Sequence, residues 1–199
     1  MPHGKNIMEN KNNTFQLLID AALNTGAYKA TVIDADKIET NRSFRTLCES
    51  NACGVYGKCY MCPPDIGDID ELMQEVGNYR YALVYQTVSE LEDSYDFEGM
   101  VLAKKRFYPL SQELRKTFDS LNISKALHLG AGGCGVCKTC AKRTGEPCRY
   151  PELAMASLEA YGINVSRLAA VSGMKYINGQ NTVTYFGAVL FSLDDGVQK

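Results

Sequence analysis

The chain has no tryptophan, only two histidines and almost no net charge, with 21 basic against 23 acidic side chains in 199 residues. That balance gives no global field to draw in nucleic acid or an anionic membrane, and neither is expected as a partner. No apolar run approaches the ~18 residues that cross a bilayer. The opening stretch, Met1 to Asn13, is polar and rich in Asn and Lys. It lacks the apolar segment of a secretory leader, so the expected compartment is the cytoplasm, where structural disulfides are rare. There is no internal repeat, no H-E-x-x-H motif and no Ser-His-Asp set. His3 lies in the polar start, and His128 lies in an apolar strand-like segment.

What the chain does have is cysteine, eight in all, and none is scattered. The first group is Cys48, Cys53, Cys59 and Cys62, spaced C-x4-C-x5-C-x2-C and followed by Pro63 and Pro64. The second is Cys134, Cys137, Cys140 and Cys148, spaced C-x2-C-x2-C-x7-C. Core cysteines behave as small hydrophobes and sit among apolar neighbours; these sit among Gly, Lys and Thr. A disulfide framework suits small secreted chains with cysteine above ~8–10%, which this is not. Zinc takes four tetrahedral ligands from two close pairs, and the first group could supply them. The C-x2-C-x2-C winding of the second group instead wraps three thiolates around one object, as in bacterial ferredoxins, and a thiolate-only set suits zinc or an iron–sulfur cluster.

Gly54, Gly57, Gly132, Gly133 and Gly135 accompany the cysteines, allowing sharp turns that aim backbone N–H groups at sulfur. Lys58, Lys138, Lys142, Arg143 and Arg149 place positive charge beside them, either to balance thiolates or as a solvated basic loop. Tyr56 and Tyr60 flank Cys59 and read as shields against solvent. Arg45 and Glu49 are candidates for chemistry that an exposed helix would also display. The run Gly130 to Gly135 formally matches G-x-G-x-x-G, but it leads into Cys137 and Cys140 rather than into a helix, so it is weak evidence for a nucleotide. For His128, beside that loop, the plain reading is a core or edge histidine, with a metal or proton-transfer role as the alternative.

Around these groups helical and strand-like patterns alternate, which predicts an α/β domain: a layered sheet with flanking helices and two cysteine-rich metal-binding loops. Residues 1–12 are expected to be a flexible start and residues 13–199 one domain, with the cysteine loops at 48–65 and 130–150. Helices are predicted over 13–25 and after Asp68, which with Glu71 makes a capping box. A third covers 97–121, kinked or split at Pro109, a fourth opens at Pro151 and runs to Ala160, and a short one lies over 165–171. Strands are predicted over 28–34, 79–88, 125–129 and 182–193, the last in a hairpin with Met174 to Ile177. Taking the strands as parallel, right-handed crossovers would gather both cysteine loops at one sheet edge.

The stretches CGVYGKCYMCPPDIG and GAGGCGVCKTCAKRTGEPCRYPELAMASLEAYGINV resemble a family of small prokaryotic proteins known only as predicted metal-binding proteins, DUF2284. The closing NTVTYFGAVLFS segment is similar to that family as well. The resemblance implies metal ligation by Cys48, Cys53, Cys59, Cys62, Cys134, Cys137, Cys140 and Cys148, and it names no reaction. The combined expectation is two [4Fe–4S] clusters in an electron-transfer protein or small iron–sulfur oxidoreductase, with a redox partner or small-molecule substrate that the sequence does not name. The alternative is a zinc-stabilised binding module without redox activity.

Overall fold

A computed structural model describes residues 3–121, 123 and 125–193. It is an α/β arrangement: a five-stranded sheet with helices on both faces. The strands are β1 (Lys29–Asp34), β2 (Tyr81–Glu90), β3 (Ala126–Gly130), β4 (Ala156–Ser157) and β5 (Thr182–Phe191), in spatial order β1-β2-β5-β3-β4. The helices are α1 (His3–Asn24), α2 (Phe44–Glu49), α3 (Ile69–Val76), α4 (Phe97–Ser120) and α5 (Val165–Val171). Helix α1 thus begins ahead of the periodic segment that announces it.

The period-two geometry of strands divides the core. Along β2, Tyr81, Leu83 and Tyr85 face one side, where they meet Leu18 and Ala22 of α1 and Phe107, Leu114 and Phe118 of α4. Ala82 and Val84 face the other side, with Leu72 and Val76 of α3 and Leu168 of α5. A strand covered on both faces reads as a continuous apolar run, and the YALVY of β2 is one. Each fully buried Leu or Phe of this kind contributes ~1.5–3 kcal/mol of burial free energy. Phe118, Phe191, Tyr81 and Phe15 form a chain of edge and tilted ring contacts, with centroids 4.9–6.1 Å apart. Such contacts fix ring orientation as well as excluding water.

Local signals explain most boundaries. The Asp68 side chain accepts from the backbone N–H groups of Asp70 and Glu71 and starts α3. Asn164 does the same for α5 through Arg167 N–H. Helix α4 runs unbroken through Pro109, so the expected split is corrected. Pro109 and Lys105 lie on the exposed face, where the carbonyl freed by the missing N–H can meet water, while Phe107, Leu110 and Leu114 hold the helix to the sheet. The helix expected from Pro151 to Ala160 is also absent. Residues after Pro151 form a turn, and Met155 to Leu158, all buried, include β4, which pairs with β3. A run buried on every side has no exposed helical face, and tertiary pairing overrides the proline signal. Met174 to Ile177 forms no strand; β5 pairs with β2 and β3 instead.

The expectation of parallel strands is wrong in an instructive way. β1 and β2 are antiparallel, and β5 is antiparallel to both β2 and β3; only β3 and β4 are parallel. The chain leaves β1 at Asp34 and re-enters the sheet beside it at Tyr81, its register partner. The first cysteine segment is therefore an excursion from that end, whereas the second leaves from the far end of β3. The excursion is carried across the sheet by backbone pairing. Thr40 bridges Ile163, Asn41 N–H donates to Gly162 O (2.7 Å), and Asn164 N–H donates to Glu39 O (2.9 Å). The Arg45 guanidinium, buried under α2, adds bonds to Gly67 O and Ala160 O. These ties deliver the first cysteine segment to the turn after β4, next to the loop after β3.

Candidate metal centre

All eight cysteines are described and carry free thiols. Cys48 is on α2, and the others of the first group follow in turns that end in a cis Pro63–Pro64 bond. Gly54 and Gly57 take positive φ (70° and 65°), as does Gly132 (64°) in the second segment. These are the conformations that sharp turns around the sulfurs require of glycine. Gly135 is needed for another reason: a Cβ there would collide with the Tyr108 ring of α4. The Tyr108 hydroxyl donates to Gly133 O, pinning the second loop to the helix.

The two segments are in contact. Tyr60 donates to Glu146 O (2.7 Å), and Lys142 pairs with Asp65. A Cβ built on Gly133 would sit 3.4 Å from Cys62 Sγ. The Cys59 thiol is hydrogen-bonded with Cys62, and it receives the backbone N–H groups of Met61 and Cys134 and a contact from Cys140. The sequence expectation that both groups gather in one place therefore holds, by a route other than the one expected.

Spatial grouping differs from sequence grouping. A narrow cleft is lined by Cys59 together with Cys134, Cys137, Cys140 and Cys148, with Tyr60 beside them. A separate cavity of about 230 Å³ is lined by Cys48, Cys53 and Cys62, together with Tyr56, Gly133 and Glu159. The thiols thus surround two adjoining spaces, five on one and three on the other. Among the described residues no three or more His, Cys, Asp or Glu side chains already converge on a point that could hold a metal ion.

Electrostatics follow from these contacts. Hydrogen bonding from Cys62, then backbone N–H donors, holds the Cys59 thiol below its ordinary range against the cost of burial. Cys62, the donor of that bond and itself buried, is pushed up. Burial raises Cys134, and burial followed by the Glu159 carboxyl raises Cys48. Since the thiolate is the metal-binding form, the hydrogen-bonded Cys59–Cys62 pair has one sulfur prepared for a metal. The donor set, sulfur from eight cysteines around two shared spaces, fits thiophilic metal groups and offers little to hard cations.

The basic side chains named from sequence are tied into the loops. Lys58 donates to Gly54 O (3.1 Å), and Arg149 bonds Glu146 (2.8 Å), Thr139 O (3.2 Å) and the Cys137 sulfur. Arg45 is structural, and Glu49 is exposed. Sequence reasoning missed Glu159 and Tyr108. Glu159 sits in MASLEAYG, where nothing marks it, and Tyr108 is one tyrosine among twelve.

His128 belongs to the core. It is 8% exposed, stands edge-on to Phe118 (5.5 Å), and is pushed down to about pKa 3 by burial and then by Arg115. The unfolded chain protonates this residue near its ordinary 6.5 while the folded chain does not. Stability is therefore full above pH ~6.5 and falls as pH drops toward 3, at up to ~1.4 kcal/mol per pH unit. Denaturant unfolding at pH 6.5 and 5 should show wild type losing about 1.5 kcal/mol more than His128→Gln over that interval. Equal losses would show that His128 is protonated in the fold.

Residues 31–191 match the sequence model of a family described as predicted metal-binding protein, DUF2284. The chain belongs to this family. The match includes both cysteine segments and every strand but the start of β1. No curated protein matches the chain, and no solved structure does. Among the described residues no helix is long and apolar enough to cross a membrane.

Proposed function

We propose that this family member is an iron–sulfur protein, binding two [4Fe–4S] clusters through its eight cysteines and serving electron transfer or a small cytoplasmic oxidoreductase. The observation that carries the reading is the placement of five thiols around one cleft and three around an adjoining cavity, with Cys59 and Cys62 in contact between them. Bound clusters would supply one-electron carriers at that junction. The chain's own part is to hold and tune them. Backbone N–H groups of Met61 and Cys134 point at the Cys59 sulfur, and such donors raise a cluster's reduction potential by stabilising added negative charge. Tyr60, fixed by Glu146 O, lines the cleft beside the thiols. Free thiols on all eight cysteines suit a reducing compartment.

The rival reading, a zinc-stabilised binding module, draws on the direct Cys59–Cys62 contact, since a C-x2-C pair on one tetrahedral ion brings its sulfurs together. Reduction separates the two. Protein purified without oxygen should show visible sulfide-to-iron absorption that bleaches with dithionite and returns on reoxidation. A colourless protein with no spectral response to dithionite would support the zinc module.

A further inference from the structure

The eight cysteines divide four and four by sequence but five and three in space. Cys59 is the residue that changes sides. It lines the cleft of the second group, takes the backbone N–H of Cys134 and touches Cys140. Cys62 bonds Cys59 across the boundary, yet it lines the other cavity with Cys48 and Cys53, whose charges it also feels. One space therefore has a thiol more than a four-cornered cluster needs, and the other has one too few.

We infer that Cys48, Cys53 and Cys62, without Cys59, form a three-thiolate centre that is open toward the cavity beside Glu159 and takes a small oxygen- or nitrogen-donor molecule there. The iron–sulfur identity of this centre rests on the function proposed above; the partition of thiols does not.

Three features of the cavity support the assignment. It has room beyond its sulfurs, about 230 Å³ against a typical ligand pocket of roughly 300–1,000 Å³. A cluster would occupy part of that, so the ligand has only a few heavy atoms. Its wall also carries one acidic group, Glu159, which Ser157 and its own backbone N–H hold in place. The Glu159 carboxyl offers a bound oxygen- or nitrogen-donor molecule a hydrogen-bonding partner across the cavity. Its backbone wall is Gly132 and Gly133. A Cβ on Gly133 would come within 3.4 Å of Cys62 Sγ, so a side chain there would crowd the sulfur and narrow the space.

The test compares wild type, Cys59→Ser and Cys62→Ser, each loaded with iron and sulfide without oxygen. A cubane held by three thiolates readily sheds its uncoordinated iron, so brief ferricyanide oxidation should give the three-iron EPR signal in wild type. Cys59→Ser should keep that signal, and Cys62→Ser should lose it. Imidazole, a neutral nitrogen donor, should shift the EPR spectrum of the reduced Cys59→Ser protein. The inference is overturned if wild type gives no three-iron signal, if Cys59→Ser abolishes it, or if imidazole leaves the spectrum unchanged. The same proteins titrated with Co(II) read the partition whatever the native metal, because thiolate charge-transfer absorption counts sulfur ligands. Under the inference Cys59→Ser retains a three-thiolate Co(II) site that Cys62→Ser lacks. If iron and sulfide do not bind but this Co(II) pattern holds, the function proposed above fails while the partition stands. If Co(II) shows Cys59 and Cys62 lost from the same site, the partition fails.

Discussion

Cys137→Ser/Cys140→Ser protein is expected to hold about half the wild-type iron and sulfide, roughly four of each per chain in place of about eight. The two substitutions leave three thiols on the cleft, Cys59, Cys134 and Cys148, which is too narrow to admit another ligand in place of the lost sulfurs, and leave the roomier cavity of Cys48, Cys53 and Cys62 untouched. The sequence alone implies that Cys137→Ser would suffice, with no cysteine to spare in its group. The fold changes that expectation, because a fifth thiol lines the same cleft. The single variant should therefore load more weakly than wild type and better than the double. Iron and sulfide analysis of folded protein checks both. Complete loss of iron from the double variant would mean that the two sets share ligands, and unchanged iron would remove Cys137 and Cys140 from the ligand set.

Stripping the metal should open the cysteine segments while leaving the sheet folded. The two apolar clusters on the sheet faces contain no cysteine, so their burial free energy does not depend on the centre. The two segments are joined to each other and to α4 by few side-chain bonds: Tyr60 to Glu146, Asp65 to Lys142 and Tyr108 to Gly133. Such regions open at low cost once their cross-link is gone. Trypsin should then cut after Lys58, Lys138 or Arg143 at least ~100-fold faster in chelator-treated than in loaded protein, since ~3 kcal/mol of lost local stability gives that factor. Far-UV circular dichroism should change little. Mass spectrometry of the first fragments decides the matter. Equal cleavage rates would show that the loops are self-supporting, and loss of the far-UV signal would show that the fold itself depends on metal.

Most of the scaffold was legible because its signals are local or periodic. Asp68 caps α3, the YALVY run marks a strand covered on both faces, and the β5 segment announces itself by length. Two features failed where tertiary pairing decides. Pro151 looked like a helix start, but the buried run Met155 to Leu158 contains a strand that adds to β3. Strand direction was also hidden, since a long connection can return the chain to either end, and here Asp34 and Tyr81 are neighbours. For the site, cysteine spacing identified every thiol that now lines the two spaces. It could not show that Cys59 and Cys62, three residues apart, face different ones. That depends on where the loop after β3 lies, and Cys134 reaches Cys59 from there. Glu159 was invisible for the same reason: it is brought to Cys48 by Arg45 bonding Ala160 O, a contact across 115 residues.

The most direct measurement is metal content per chain in protein prepared without oxygen, with iron, zinc and acid-labile sulfide determined on one sample. Two clusters predict about eight iron and about eight sulfide with negligible zinc. Two zinc ions and no sulfide would contradict the account.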